Sequence, residues 1–225
     1  MACRNFYYMA KSNSGKYKAR SIAIEWQLAL RASQYKTALF VGLLIFGSLV
    51  MCLPAFFHVI QQRSGHQIND FLVNSLPSID LSIPIFVVLW SVISLAVLRS
   101  LQNPQQFLTT LYAIIFLLLF RFLSITLVAL EPPVGLIPIM DPVSNLTYGH
   151  ADFITKDLFF SGHTSSMFLS FLCLSRKPEK TFALVATFVI AIFVLIQHVH
   201  YTIDVLAAPF FTYLSYRLSK KMTQG

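Results

Sequence analysis

The chain has 225 residues, of which 56% are hydrophobic and 12% charged, and its formal net charge is +8. A mean hydropathy of +0.67, with the apolar residues gathered into long runs, excludes an ordinary soluble domain and points to the bilayer as solvent. The cysteines Cys3, Cys52 and Cys173 show neither a zinc spacing nor a disulfide framework.

Residues 1–36 form a basic tail, polar up to Arg20. Residues 21–30 suit a short interfacial helix with Ile22, Trp26 and Leu30 on one side, and equally a solvated tail. No cleavable leader is expected, because the first apolar run starts late and is long enough to span. Six runs then read as membrane helices: residues 37–57, 81–98, 107–130 (interrupted only by Arg121), 158–175, 181–197 and 201–216. Each approaches the roughly 20 residues needed to cross hydrocarbon. The short joins after the fourth and fifth predict antiparallel hairpins. Of the longer connections, 58–80 holds Asp70 and Asp80, read as solvated carboxylates, and 131–157 holds an Asn-Leu-Thr acceptor sequence at Asn145. The expected fold is all-α, a six-helix transmembrane bundle over residues 37–221, with the motif-bearing part within 121–216.

The basic residues orient this bundle. The tail, Arg99, the Arg176–Lys180 join and the C-terminal Arg217, Lys220 and Lys221 place 14 of the 17 Lys and Arg residues on one side. Arg63 and Lys156 fall on the other side, and Arg121 lies within a span. The positive-inside rule puts both termini in the cytoplasm. The charge is thereby accounted for as topology, and no aromatic-interleaved basic patch points to nucleic acid.

Polar groups within or at the ends of spans are costly and mark candidate sites. The fourth run contains Ser161-Gly162-His163-Thr164, and the join of the fifth and sixth reads His198-Val199-His200-Tyr201-Thr202-Ile203-Asp204. The alternation of spans brings His163, His198, His200 and Asp204 to one depth on the extracytoplasmic face. Arg121 is able to snorkel toward them. His200 and Asp204, four apart, share a helix face. A carboxylate on one imidazole nitrogen leaves the other as nucleophile or base, and His163 is placed to protonate a leaving group. Such a pair suits transfer of a phosphoryl-type group through a phosphohistidine. Gly162, the start of the fourth helix and the hydroxyls of Ser161 and Thr164 suit an anion. Asp157 reads as a helix cap or a headgroup contact. His198 reads as a packing residue before a ligand. No metal or other cofactor is expected.

These two stretches resemble the signature motifs of the sphingomyelin synthase-like family, a branch of the type 2 phosphatidic acid phosphatase superfamily. Arg121 and the segment Thr126–Pro133 make a softer match, so the resemblance covers residues 121–216. It implies a catalytic set of His163, His200 and Asp204, with Arg121, Asp157, Ser161, Gly162, Thr164, His198 and Tyr201 around the substrate. It also implies a reaction: a phospho-alcohol headgroup passes from a glycerophospholipid to ceramide through His200, with His163 as acid and then base. The wider superfamily has an arginine where Val194 stands and a lysine-led first motif that is absent here. With Arg121 as its main cation, the site fits a phosphodiester better than a doubly charged monoester. The acidic residue usual between the paired histidines is Val199 here, so the headgroup stays open. Two other readings stand beside this one: a lipid phosphatase or phospholipase C-like hydrolase on the same site, and an inactive transporter or scaffold.

Overall fold

The computed structural model describes residues 21–139 and 154–224. The tail up to residue 20 and the acceptor sequence at Asn145 lie outside the described residues. The helices are α1 (21–31), α2 (Ser33–Gln62), the single-turn α3 (Phe71–Ser75), α4 (Ser82–Ser100), α5 (Pro104–Leu127), α6 (Gly162–Cys173), α7 (Lys177–Ile196) and α8 (Thr202–Gln224). No strand forms among the described residues beyond one isolated bridge, His66 to Leu130.

Each of the six apolar runs contains a helix. Four of them, α2, α4, α5 and α7, are long and apolar enough to cross a membrane. Their outward faces carry exposed side chains such as Phe40, Met51, Ile83 and Phe188, which suits lipid rather than water. The other two runs differ. α6 has 12 residues, about 18 Å at helical rise, short of a roughly 30 Å hydrocarbon core. The predicted start at residue 158 is corrected to Gly162: Phe159 has φ 100°, a conformation that no helix continues through. α8 exposes Ile203, Leu206 and Phe210 and then turns basic at Arg217, Lys220 and Lys221. α5 stops at Leu127 rather than 130.

The bundle has two distinct ends. At one, Trp26 donates to Leu101 O, Tyr35 to Pro104 O and Gln105 to Thr223 O. There too Arg99 pairs with Glu179. This end gathers the basic residues Arg31, Lys36, Arg176, Lys177, Lys180 and Lys220. At the other end the connections interlock. His66 N–H donates to Ala129 O, Ile79 N–H to Ile196 O and Ile137 N–H to Gln197 O.

Packing follows residue size. The inner face of α8 is Asp204, Ala208, Thr212, Ser215 and Ser219, a run of small side chains that lets α5 and α6 approach closely. The α7 face of Ala183, Ala186, Ile190 and Val194 meets Leu89 and Val92 of α4 and Met167 of α6. α2 packs along α5, where Gly42 leaves room for Leu111 and Tyr112. α4 and α5 follow one another in the chain but diverge, and the space between them is walled by α6.

Candidate active site

The HxxxD element straddles the start of α8: His200 precedes the helix, Tyr201 stands at its cap and Asp204 lies in its first turn. Asp204 is fully buried. Its Oδ2 lies 3.2 Å from His200 Nδ1 and accepts the Tyr201 N–H at 3.1 Å. This second contact is the backward half of a capping box, in which the third helical residue satisfies the N–H of the cap. The contact suits the tautomer in which Nδ1–H donates to the carboxylate and Nε2 is left with its lone pair.

The preceding turn is set by how α7 ends. His198 N–H donates to Leu195 O and Val199 N–H to Val194 O, with His198 at φ 55°. This is a Schellman ending with a histidine in the left-handed position usually given to glycine. It turns the chain so that His200 faces α6.

α6 supplies the other half. Ser161 caps it, its Oγ accepting from the Thr164 N–H at 3.3 Å and the Thr164 hydroxyl at 3.1 Å. The Ser161 N–H donates to Asp204 O at 3.0 Å, tying the two helix starts together directly. The His163 and His200 rings lie 6.4 Å apart between centroids, inclined at 63°.

Arg121 comes from α5. It donates to Phe160 O at 2.5 Å and pairs with Asp157. Its guanidinium lies against the backbone at Gly162, where an added Cβ would stand 3.0 Å from Cζ and Nη1. The space that the sequence reading assigned to a phosphate oxygen is therefore held by the arginine. The positive φ of Phe159 turns the chain between these two partners, at a cost of about 1–3 kcal/mol. Lys156 is engaged elsewhere: its ammonium bonds Glu131 at 2.9 Å and Arg63 O at 2.5 Å. The hydrogen bond from Lys156, aided by the Gly65 N–H and the lysine's charge, outweighs burial and holds the Glu131 carboxyl below its usual range.

These groups stand at one end of a cavity of about 390 Å³ between α4, α5 and α6. Arg121, Asp157, Gly162, His163, Val199 and His200 line its polar end. Leu89, Trp90, Val97, Leu117, Leu169 and Cys173 line its apolar part, which runs along the bundle toward its basic end.

The remaining candidates lie off this lining. Ser161 and Thr164 are buried in the cap of α6. Tyr201 is buried, its hydroxyl donating to Glu131 O and accepting the Ile68 N–H. The His198 ring sits between Val134 O at 2.7 Å and Leu76 O at 3.2 Å.

Two residues were missed by sequence reasoning. Gln197 is fully buried, donating to Ser82 Oγ, Ile137 O and Pro138 O and accepting the Leu81 N–H. A glutamine at the end of an apolar run was its one signal. Asp70, read as solvated, instead accepts the Thr202 N–H at 2.6 Å and the Thr202 hydroxyl at 2.9 Å.

Residues 156–221 match the family model described as PAP2 superfamily C-terminal. No curated protein matches the chain. The match covers α6 to α8 and both histidine motifs. It supports the PAP2 superfamily, whose members are generally phosphoesterases or phosphotransferases, and with the four long apolar helices it suggests a membrane protein with phosphatase- or phosphotransferase-type lipid function.

Proposed function

We propose that this chain is a sphingomyelin synthase-like phosphotransferase: it moves a phospho-alcohol headgroup from a glycerophospholipid to ceramide or a similar lipid alcohol. One observation carries the reading. Two imidazoles lie 6.4 Å apart between ring centroids, one backed by a fully buried carboxylate, at the polar end of an otherwise apolar cavity.

His200 Nε2 attacks the phosphorus of the donor. The bond from phosphorus to the diacylglycerol oxygen breaks, and that oxygen takes a proton from His163. His163, now neutral, takes the proton of the acceptor's hydroxyl. The hydroxyl oxygen attacks the phosphohistidine, and the P–N bond returns its electrons to His200. Asp204 holds the tautomer throughout and stabilises the cation that forms on the ring. Arg121, already half-neutralised by Asp157, supports one negative charge better than two, which favours a phosphodiester. The apolar part of the cavity suits a hydrocarbon chain of the substrate.

The site lies at the end opposite the basic cluster, so the positive-inside rule supports termini in the cytoplasm and a site on the extracytoplasmic face. In this reading all six helices embed in the membrane, with α6 completed by the extended residues on either side of it.

The test is reconstitution of the purified protein with labelled ceramide and mixed choline, ethanolamine and inositol phospholipids. A labelled phosphosphingolipid supports the transferase. Phosphate or phospho-alcohol released without ceramide dependence makes it a hydrolase. Inertness toward every donor removes the enzymatic reading in favour of a transporter or scaffold.

A further inference from the structure

The connection between α2 and α4 folds over the α8 start. The Gly65 N–H donates to Glu131, the Ile68 N–H to the Tyr201 hydroxyl, and Asp70 receives both donors of Thr202. The close approach at residue 65 requires glycine, since a Cβ there would stand 2.6 Å from the Leu130 carbonyl carbon. The half-buried Asp70 carboxylate has both oxygens in use, because Oδ1 also accepts the Leu72 and Val73 N–H groups.

The first N–H groups of a helix have no partner within it. At α8, Asp204 takes the one from Tyr201 and Asp70 takes the next, from 132 positions away in the chain. Asp204 has one further task, the His200 imidazole. If the first turn frays, Asp204 shifts, and His200, which directly precedes the turn and is held by the Asp204 carboxylate, shifts with it. Misplacement of a reacting group by about 1 Å can cost on the order of 100-fold in rate.

We propose that Asp70 is a positioning residue for the reaction. By holding the Thr202 N–H and hydroxyl it locks the first turn of α8, so that the His200–Asp204 pair stays aimed at His163. This rests on the reading of His200 as the nucleophile. Asp70 touches neither substrate nor reacting atoms. Burial pushes its carboxyl up, but the bonds from Thr202, Val73 and Leu72 together hold it below the usual range, consistent with a carboxylate ionised in its role.

The full-length protein in nanodiscs tests this with Asp70→Asn, Asp70→Ala, Thr202→Ser and Thr202→Val. Expected are kcat losses of about 10-fold for D70N and T202V and about 100-fold for D70A, KM for the donor within about twofold, and T202S near wild type. Amide exchange over residues 200–206 should speed up about 10-fold in D70N while the middle of α5 stays protected. Unchanged kcat in D70N and D70A overturns the proposal, as does unchanged exchange over 200–206. A loss falling on KM and kcat alike, with exchange raised throughout the bundle, also overturns it by making Asp70 a general fold residue. If D70A does not fold, D70N and T202V carry the comparison. The control His200→Ala separates the two claims. Full activity there removes the phosphohistidine reading, whereas the exchange measurement still decides whether Asp70 locks the turn.

Discussion

α8 and α6 each begin beside a histidine, and they begin differently. The start of α8 is stitched shut: Asp204 is fully buried, it and Asp70 take the first two amides, and a remote connection covers the turn. The start of α6 has a single serine cap, and Gly162 and His163 stand half-exposed on the cavity beneath the Arg121 guanidinium. Under the proposed function, the contrast matches two demands of a phosphoryl-transfer site. A nucleophile gains from being held rigidly in one tautomer and direction. The facing acid–base group must meet a donor, a departing alcohol and an arriving one, so its helix start has to admit ligands.

The sharpest way to break this comparison is at the closed side. His200→Ala should lower turnover at least about 1,000-fold, and Asp204→Asn by roughly 100- to 10,000-fold, because the ring loses its tautomer control. Steady-state rates in liposomes measure this, and a variant keeping half the activity would take its residue out of the mechanism. At the open side, Gly162→Ala pushes the guanidinium off its seat. KM for the donor should rise about 10-fold with a smaller change in kcat; a kcat effect at constant KM would mean that both helix starts act alike. Ser161→Ala removes a cap worth about 1 kcal/mol, so thermal unfolding should shift down by a few degrees. The smallest effect is on pH. Asp70 and Glu131 sit below their usual carboxyl range in the fold. A depressed carboxyl stabilises while ionised: its contribution is complete above about pH 4 and fades as pH falls through the lowered folded value. Melting temperature should be flat from about pH 7 to 5 and fall below about 4, less steeply in D70N.

Much of this was legible beforehand, for identifiable reasons. Long apolar runs locate helices wherever bilayer is the solvent, so each of the six runs holds a helix, four of them long and apolar enough to span. The alternation of spans brought His163, His200 and Asp204 to one end, because each helix must reverse direction. His200 and Asp204 do meet, but not through the shared helix face expected of an i, i+4 pair: α8 begins only at Thr202, and Asp204 reaches back past the cap to the imidazole. Helices end short at residues 128–130 and 158–161, where an apolar sequence leaves the helix to supply carbonyls, such as Val128 O to Arg63 and Phe160 O to Arg121, whereas α2 and α8 run on past their apolar runs into polar residues.

What the amino-acid sequence determined by itself was everything governed by short-range periodicity and by the cost of burying charge in lipid: helix positions, the segregation of basic residues to one end, and the neighbourhood of the two histidine motifs. Tertiary structure alone decided which polar group meets which. Arg121 chose Asp157 over Glu131, Glu131 took Lys156, Asp70 crossed to Thr202, and His198 turned away between two carbonyls. Such partners lie tens of residues apart or more, and an acceptor carries no local mark of the donor that packing will bring to it. Their assignment waits until the helices are assembled and each buried N–H and carboxylate has to find what is within reach.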